Sequence, residues 1–330
     1  MKKINHIEIS NFKSIKHVKI DGCKKINIFV GMPNAGKSNI LEALGLFGTI
    51  NFSKYDIESF VRFYNYDELF FEGNILEKIL ININSSELEI ERNKLSENPK
   101  NHYLGLKNEL EYTFGKPSEG ENEYYDNSIS KIKKYHFKET ENSSSYNDNS
   151  LNFPFGEDLG KIISTYPRLR EIANTFFKQN NLKILIEKNT NELKVFKEFQ
   201  DGTVFTLPYE MIADTLQRLI FYKAAIMSNK ETVLLFEEPE AHCFEPYILE
   251  FTNDVKYDEN DNQFFIVTHS DFIIKEFLRD EESKENTNIY LVNNVNGETQ
   301  VKLLEKDKNE DVYEFGMNPF FNFESLWETN

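Results

Sequence analysis

The chain has 330 residues, 39% of them apolar and 14% aromatic, with only 14 Gly and 9 Pro, so it can bury a large core and is neither collagen-like nor wholly disordered. A balance of 38 basic against 55 acidic residues leaves a net charge of −17, which excludes a protein whose main business is coating nucleic acid without specificity. No run approaches the roughly 20 apolar residues of a membrane span, and Cys23 and Cys243 make neither a disulfide framework nor a zinc set; a chain of the reducing cytoplasm, with no membrane partner, is expected.

Apolar residues recur at strand spacing over residues 3–9 and 26–30, and the second run ends directly in Gly31. After Ser38 the period becomes helical, with Ile40, Leu41, Leu44 and Phe47 on one face. Strand, glycine loop and helix therefore follow one another. Over residues 77–92 Ile79, Ile81 and Ile83 alternate, Ser85 and Ser86 turn the chain, and Leu88 and Ile90 oppose Glu87, Glu89 and Glu91, which predicts an antiparallel hairpin with one wet face. Residues 93–150 are the least regular and are expected to be an irregular insertion, poorest in apolar groups at 141–150. Helical periodicity returns over 159–177; residues 182–186, 192–196 and 203–207 alternate like strands, and 215–227 read as a helix. The last third alternates apolar strands (232–236, 264–267, 289–292) with helical segments, the pattern of a parallel sheet covered by helices. We therefore expect one α/β head over 1–330: an N-terminal lobe (1–92), the insertion (93–150), a helical and carboxylate-bearing lobe (151–275), and a C-terminal strand with an aromatic tail (276–330).

Gly31, Met32, Pro33, Asn34, Ala35, Gly36, Lys37 and Ser38 satisfy G-x-x-x-x-G-K-[ST] between a buried strand and a helix. Such a loop offers backbone N–H groups and a helix N-terminus to phosphates; Lys37 adds a point charge, and the Ser38 hydroxyl a Mg²⁺ ligand. The apolar run 232–236 enters Glu237-Glu238-Pro239-Glu240. Paired carboxylates at a strand end suit a metal ligand, Glu237, beside a general base for water, Glu238. A solvated acidic turn is the plainer reading of the same residues taken alone. Residues 264–267 end in Thr268-His269-Ser270, which sets His269 to sense a γ-phosphate, with a core or capping histidine as the other reading.

Together these strand ends resemble ABC-type ATPase heads, P-loop NTPases of α/β class with a mixed or parallel sheet, an antiparallel β subdomain and a helical insertion. The runs 9–15 (ISNFKSI), 36–44 (GKSNILEAL) and 236–242 (FEEPEAH) resemble the RecF/SMC/OLD group of AAA-type ATPases, nearest to the OLD-like and PARIS-like ATPase subunits of bacterial anti-phage systems. The likeness covers residues 1–75 and 150–275. It implies ATP and Mg²⁺ as cofactors, with Gly31, Asn34, Ala35, Gly36, Lys37, Ser38, Asn39 and Lys13 around the nucleotide, Ser38 and Glu237 on the metal, and Glu238 and His269 catalytic. It also implies a homodimer or higher homo-oligomer sandwiching ATP, in which a signature segment, here 212–219, brings Thr215 and Arg218, or Gln217, to the partner's γ-phosphate. That segment departs from the transporter form because it has no glycine pair; an ordinary helix cap with a surface arginine is the other reading. No glutamine lies between Ser38 and Gln179, so the Q-loop glutamine is missing. Asn11 and Phe12 are expected near the nucleotide, and His242 with Glu245 is a weak metal pair.

The resemblance implies a switch that controls a separately encoded effector, a nuclease or a toxin, since the residues after Ser270 are too few for the TOPRIM nuclease of OLD-family proteins. A RecF-like role on DNA is the alternative. Net charge does not favour DNA, and the best local candidate is the basic and aromatic run 131–138, for which a solvated strand face is the competing reading. The tail around Phe315, Phe320, Phe321, Phe323, Leu326 and Trp327 is too apolar for water, so it packs on its own head or docks a partner.

Overall fold

A six-stranded sheet positions every strand end named above. The computed structural model describes residues 3–49, 57–92, 110–115, 131–138, 149–178 and 181–329. Most of the polar run 141–150 lies outside them. In chain order the elements are β1 (His6–Phe12), β2 (Ile15–Asp21), β3 (Ile26–Val30), α1 (Lys37–Thr49), β4 (Ile79–Ile83), β5 (Ser86–Arg92), β6 (Leu110–Gly115) and β7 (Ile132–Tyr135). Then come α2 (Leu159–Thr165), α3 (Pro167–Lys178), β8 (Lys183–Ile186), β9 (Leu193–Glu198), β10 (Val204–Pro208), α4 (Asp214–Ser228), β11 (Val233–Glu237) and α5 (Glu245–Lys256). The chain ends with β12 (Gln263–Val267), α6 (Asp271–Leu278), α7 (Glu281–Glu285), β13 (Thr287–Val295), β14 (Glu298–Leu303), α8 (Lys306–Tyr313) and α9 (Phe323–Thr329).

The large sheet runs β14-β13-β3-β12-β11-β7. Its four inner pairings from β13 to β7 are parallel, and β14 closes one edge antiparallel. Strands β3 and β12 are buried at every position, as expected of parallel strands covered on both faces, where apolar runs need no alternation. Phe236 in β11 is stacked on Tyr135 of β7 and meets Tyr222 of α4 and Phe251 of α5 edge-on, so aromatic rings lock the carboxylate strand against the helices that cover it. An antiparallel sheet, β2-β1-β4-β5-β6, and a three-stranded antiparallel sheet, β10-β9-β8, complete the molecule. The mixed sheet, the antiparallel subdomain and the helical insertion are those read from the sequence. Among the described residues no helix is long and apolar enough to cross a membrane, and both cysteines are free.

Several elements differ from the expectation. Strand β2 was not expected: its buried residues Ile15, Val18 and Ile20 break strict alternation. The turn between β4 and β5 is Asn84-Ser85, with Asn84 at φ 54° and its Oδ1 accepting from the backbone N–H groups of Asn5 and His6; Ser86 is already buried in the strand. Strand β14 follows a tight Asn296-Gly297 turn, both residues at positive φ, the sequence signal of a two-residue hairpin.

The run 131–138 is corrected most. It holds β7, an edge strand of the large sheet, and all four of its residues are buried. Lys133 Nζ donates to Ser150 Oγ at 2.6 Å, and Lys134 Nζ donates to Phe60 O at 3.3 Å. Neither lysine is on a solvated face, and neither is presented to DNA. The aromatic tail packs on its own head through Phe323 and Leu326, with Phe323 and Trp327 stacked and Lys302 above the Trp327 ring; Phe315 and Phe321 stay open, at 79% and 92% exposure.

Candidate nucleotide site

The loop between β3 and α1 closes so tightly on β13 and β14 that two of its positions admit only glycine. A Cβ on Gly31 would fall 2.0 Å from Val292 O, and one on Gly36, at φ +98°, 2.0 Å from Thr299 Oγ1. Asn34 takes φ 61°, Ala35 is buried, and the Thr299 hydroxyl donates to Ala35 O at 3.1 Å. Ser14 Oγ lies 2.7 Å from Thr299 Oγ1 and accepts from Asn39 Nδ2 at 2.6 Å, so Asn39 braces the loop from behind. Lys37 Nζ donates to Gly31 O and Met32 O, both at 2.9 Å. Burial pushes this ammonium down to about 8, against the pull of Glu238 and Glu237. A buried cation resting on two carbonyls in a loop closed by two glycines is a cradle for phosphate oxygens.

Glu237 ends β11. Its Oε1 accepts from Arg62 Nη2 at 2.8 Å, its Oε2 lies 3.2 Å from Lys134 Nζ, and the Ser38 hydroxyl also reaches the carboxylate. Burial would raise this carboxyl; Lys134, Ser38 and Arg62 outweigh it and hold it down to about 2. A hydroxyl beside a carboxylate that stays ionised is a hard-oxygen donor set suited to Mg²⁺, so Ser38 and Glu237 fit the ion that the P-loop implies.

The next residue, Glu238, is held at φ 45° with its N–H donated to Val267 O at 2.8 Å, and its half-exposed side chain turns outward. His269 Nε2 lies 3.5 Å from Glu238 Oε1. Burial and Lys37 lower the imidazole's affinity for a proton, and Glu238 raises it. Partly buried Glu240 accepts through Oε1 from Thr268 Oγ1 at 2.7 Å and from the His269 N–H at 2.6 Å, fixing the end of β12 against the end of β11. Since β12 lies between β3 and β11, the phosphate loop, the carboxylate pair and the histidine share one edge of the sheet, where open α/β sheets bind ligands.

Other expected residues are placed differently. Lys13 Nζ donates to Glu42 Oε2 at 2.6 Å and to Arg62 O at 2.8 Å, so its charge is committed inside the protein. Asn11 and Phe12 are buried; Asn11 hydrogen-bonds Asn74 O, Glu77 O and the Phe71 N–H. In the segment 212–219 the helix is capped by Ala213 without a side-chain bond, Thr215 sits half-buried in the first turn, and buried Gln217 donates to Glu210 O and Ile212 O. Gln217 cannot reach a phosphate from there. Arg218 binds Asp214 at 2.8 Å, lies 4.6 Å over the Phe137 ring, and lines a cavity of about 470 Å³ shared with its own protomer's Arg62, Lys134, His136, Glu237 and Glu238. His242 and Glu245 are exposed, and among the described residues no group of three or more His, Cys, Asp or Glu could hold a metal.

Reading the sequence missed Arg62, Lys134, Glu240 and the role of Glu42. Glu42 is wholly buried in α1 and joins Lys13 to Arg62, whose Nε lies 3.0 Å from Glu42 Oε1; Arg62 in turn reaches Glu237. The phosphate-loop helix and the carboxylate strand are thus tied by a chain of alternating charge. Glu42→Ala is expected to destabilise the protein by about 2–3 kcal/mol, at or just under the usual loss for a broken buried pair because Arg62 keeps access to water. Urea unfolding checks it, and an unchanged midpoint would show that Glu42 does not tie these elements.

Residues 1–213 match the AAA ATPase domain family. The chain belongs to that family. Among solved structures, this AAA ATPase domain chain superposes on the Smc head domain with an extended coiled coil bound to the C-terminal domain of ScpA, from Pyrococcus furiosus, with a TM-score of 0.56 at 13% identity over 96% of this chain and 99% of that one. An SmcHead bound to the C-winged helix domain of ScpA gives 0.54 at 15% identity, over 93% and 99%. The fold is that of an SMC-type ABC ATPase head. Curated relatives match over shorter stretches. They are an ATP/GTP phosphatase of Helicobacter pylori (58% identity over 41 residues, 12% of this chain and 11% of that protein) and an uncharacterised protein of Methanocaldococcus jannaschii (36% over 108 residues, 32% and 47%). The DNA replication and repair protein RecF of Nitrosococcus oceani is 40% identical over 48 residues, 14% and 13%. The matched stretches span less than half the length of these relatives.

Proposed function

We propose that the chain is a Mg²⁺-dependent ATPase used as a switch: ATP closes a head-to-head homodimer, hydrolysis opens it, and the cycle controls a separately encoded effector, a nuclease or toxin, in anti-phage defence. The observation that carries the ATPase reading is the meeting of Lys37, Ser38, Glu237, Glu238 and His269 at the ends of three adjacent parallel strands.

Lys37 exchanges the carbonyls of Gly31 and Met32 for phosphate oxygens, and the N–H groups at the start of α1 donate to the remaining ones. Ser38 and Glu237 would hold Mg²⁺, which when bound would neutralise charge on the terminal phosphates. Glu238, turned outward on its strained backbone, takes the proton of the attacking water, and His269 beside it senses the γ-phosphate. Thr215 and Arg218 complete the partner's site across the dimer. The similarity to a phosphatase of ATP and GTP supports the chemistry. The defence setting rests on the likeness of residues 9–15, 36–44 and 236–242 to OLD-like and PARIS-like ATPases.

The RecF stretch is the observation favouring the alternative, a repair role on DNA. Burial of Lys133 and Lys134 removes the best basic candidate and, with the charge of −17, supports a protein partner. In the experiment, solution mass is measured for Glu238→Gln with ATP and with ADP, and DNA binding is followed against salt. A doubled mass with ATP only is expected. A protein that stays monomeric with ATP at every concentration overturns the sandwich, and tight salt-dependent DNA binding overturns the choice between the two roles.

A further inference from the structure

Phe320 stacks on the imidazole of His269, with ring centroids 6.0 Å apart and planes 27° apart, within the range of offset stacking. The contact is long-range, and the backbone that presents the ring to His269 is itself held. Asn318 Oδ1 accepts from the backbone N–H groups of Phe320, at 2.9 Å, and Phe321, at 3.2 Å. On one side Met317 N donates to Asp311 O at the end of α8. On the other, Phe323 and Leu326 of α9 are buried, and Lys302 Nζ donates to Trp327 O at 2.7 Å, tying α9 to β14.

His269 needs such a neighbour. Glu240 fixes its backbone N–H, but that leaves both side-chain torsions free, and Glu238 Oε1 at 3.5 Å is a half-exposed partner at the ring's edge. The face of the ring is held by Phe320. The strand that anchors α9 also carries Thr299, whose hydroxyl reaches Ala35 O in the phosphate loop. One C-terminal segment therefore touches both ends of the nucleotide site.

We propose that Phe320 is a positioning residue that holds the His269 ring beside Glu238, so that the C-terminal segment is geared to the hydrolysis centre; this rests on the reading of His269 as the γ-phosphate sensor. A ring released from its stack samples other rotamers, and misplacing a reacting group by an ångström slows chemistry without weakening the grip on the nucleotide.

The test uses the full chain with Phe320→Ala, Phe320→Tyr, His269→Ala and the Phe320→Ala/His269→Ala pair. Ring resonances of His269 are identified by their loss in His269→Ala. In Phe320→Ala these resonances should move, kcat should fall about tenfold or more, and ATP affinity measured in the Glu238→Gln background should stay within about twofold. Phe320→Tyr should restore kcat, and the double variant should be no slower than His269→Ala alone, since the two residues act as one unit. Unmoved His269 resonances in a folded Phe320→Ala protein overturn the proposal. So does a kcat loss that multiplies with that of His269→Ala, which marks a merely structural role. Failure of the underlying reading looks different, because His269→Ala would then turn over ATP at the wild-type rate; the gearing to hydrolysis falls with it, even if the Phe320→Ala resonances move.

Discussion

Lys37→Ala is expected to lose ATP affinity by about a hundredfold or more. Lys37 is the one cation in the loop sequence 31–38. Its ammonium is already desolvated and waits on two backbone carbonyls at 2.9 Å. Trading neutral carbonyls for phosphate oxygens turns two ordinary hydrogen bonds into charge-assisted ones. A hundredfold loss corresponds to about 2.7 kcal/mol, the scale of such contacts. Titration of a fluorescent ATP analogue checks it. Unchanged affinity in a folded Lys37→Ala protein would mean that the triphosphate lies elsewhere.

Glu238→Gln should leave ATP bound and slow its hydrolysis by two to four orders of magnitude, about the contribution of a well-placed general base. The neighbouring carboxylate cannot substitute. Glu237 is engaged by Arg62, Lys134 and Ser38 and held down to about 2, so it is a poor base near neutral pH, whereas Glu238 faces solvent with His269 at its edge. Glutamine keeps the shape and the left-handed backbone but cannot take a proton. Single-turnover measurement of phosphate release decides the matter; the wild-type rate in Glu238→Gln would hand the role of base to another group.

What the sequence made legible was local. Gly31 to Ser38 and Glu237 to Glu240 are contiguous runs at strand ends, and their chemistry can be read without knowing how the strands pair. The counterions of that chemistry are not contiguous. Arg62 lies 175 residues from Glu237 along the chain, and only the sheet order brings Lys134 beside the same carboxylate. Basic residues are usually solvated, so the two lysines of β7 read as a wet face. A parallel strand covered on both sides leaves them no water, and Ser150, Phe60 and Glu237 take its place. Lys13 illustrates the opposite error, because the resemblance placed it at the nucleotide, whereas buried Glu42 claims its charge. The Asn296-Gly297 turn was readable in principle and passed unnoticed beside longer apolar runs. The signature segment was readable only as an interval, since the partners its side chains meet, Asp214 and the Phe137 ring for Arg218 and the carbonyls of Glu210 and Ile212 for Gln217, are set by the fold.

Arg62 and Lys134 together match the charge that a divalent ion would bring to Glu237. For Glu237 to act as a metal ligand, the oxygens that Arg62 and Lys134 now hold would have to be released or shared with the ion. The released guanidinium and ammonium do not leave the neighbourhood, because Glu42 still holds Arg62 by Nε and Phe60 O still holds Lys134. They remain on the wall of a cavity that already contains His136 and Arg218. A divalent ion arriving at Glu237 would therefore add its charge to theirs, and the site would attract anions more strongly loaded than empty.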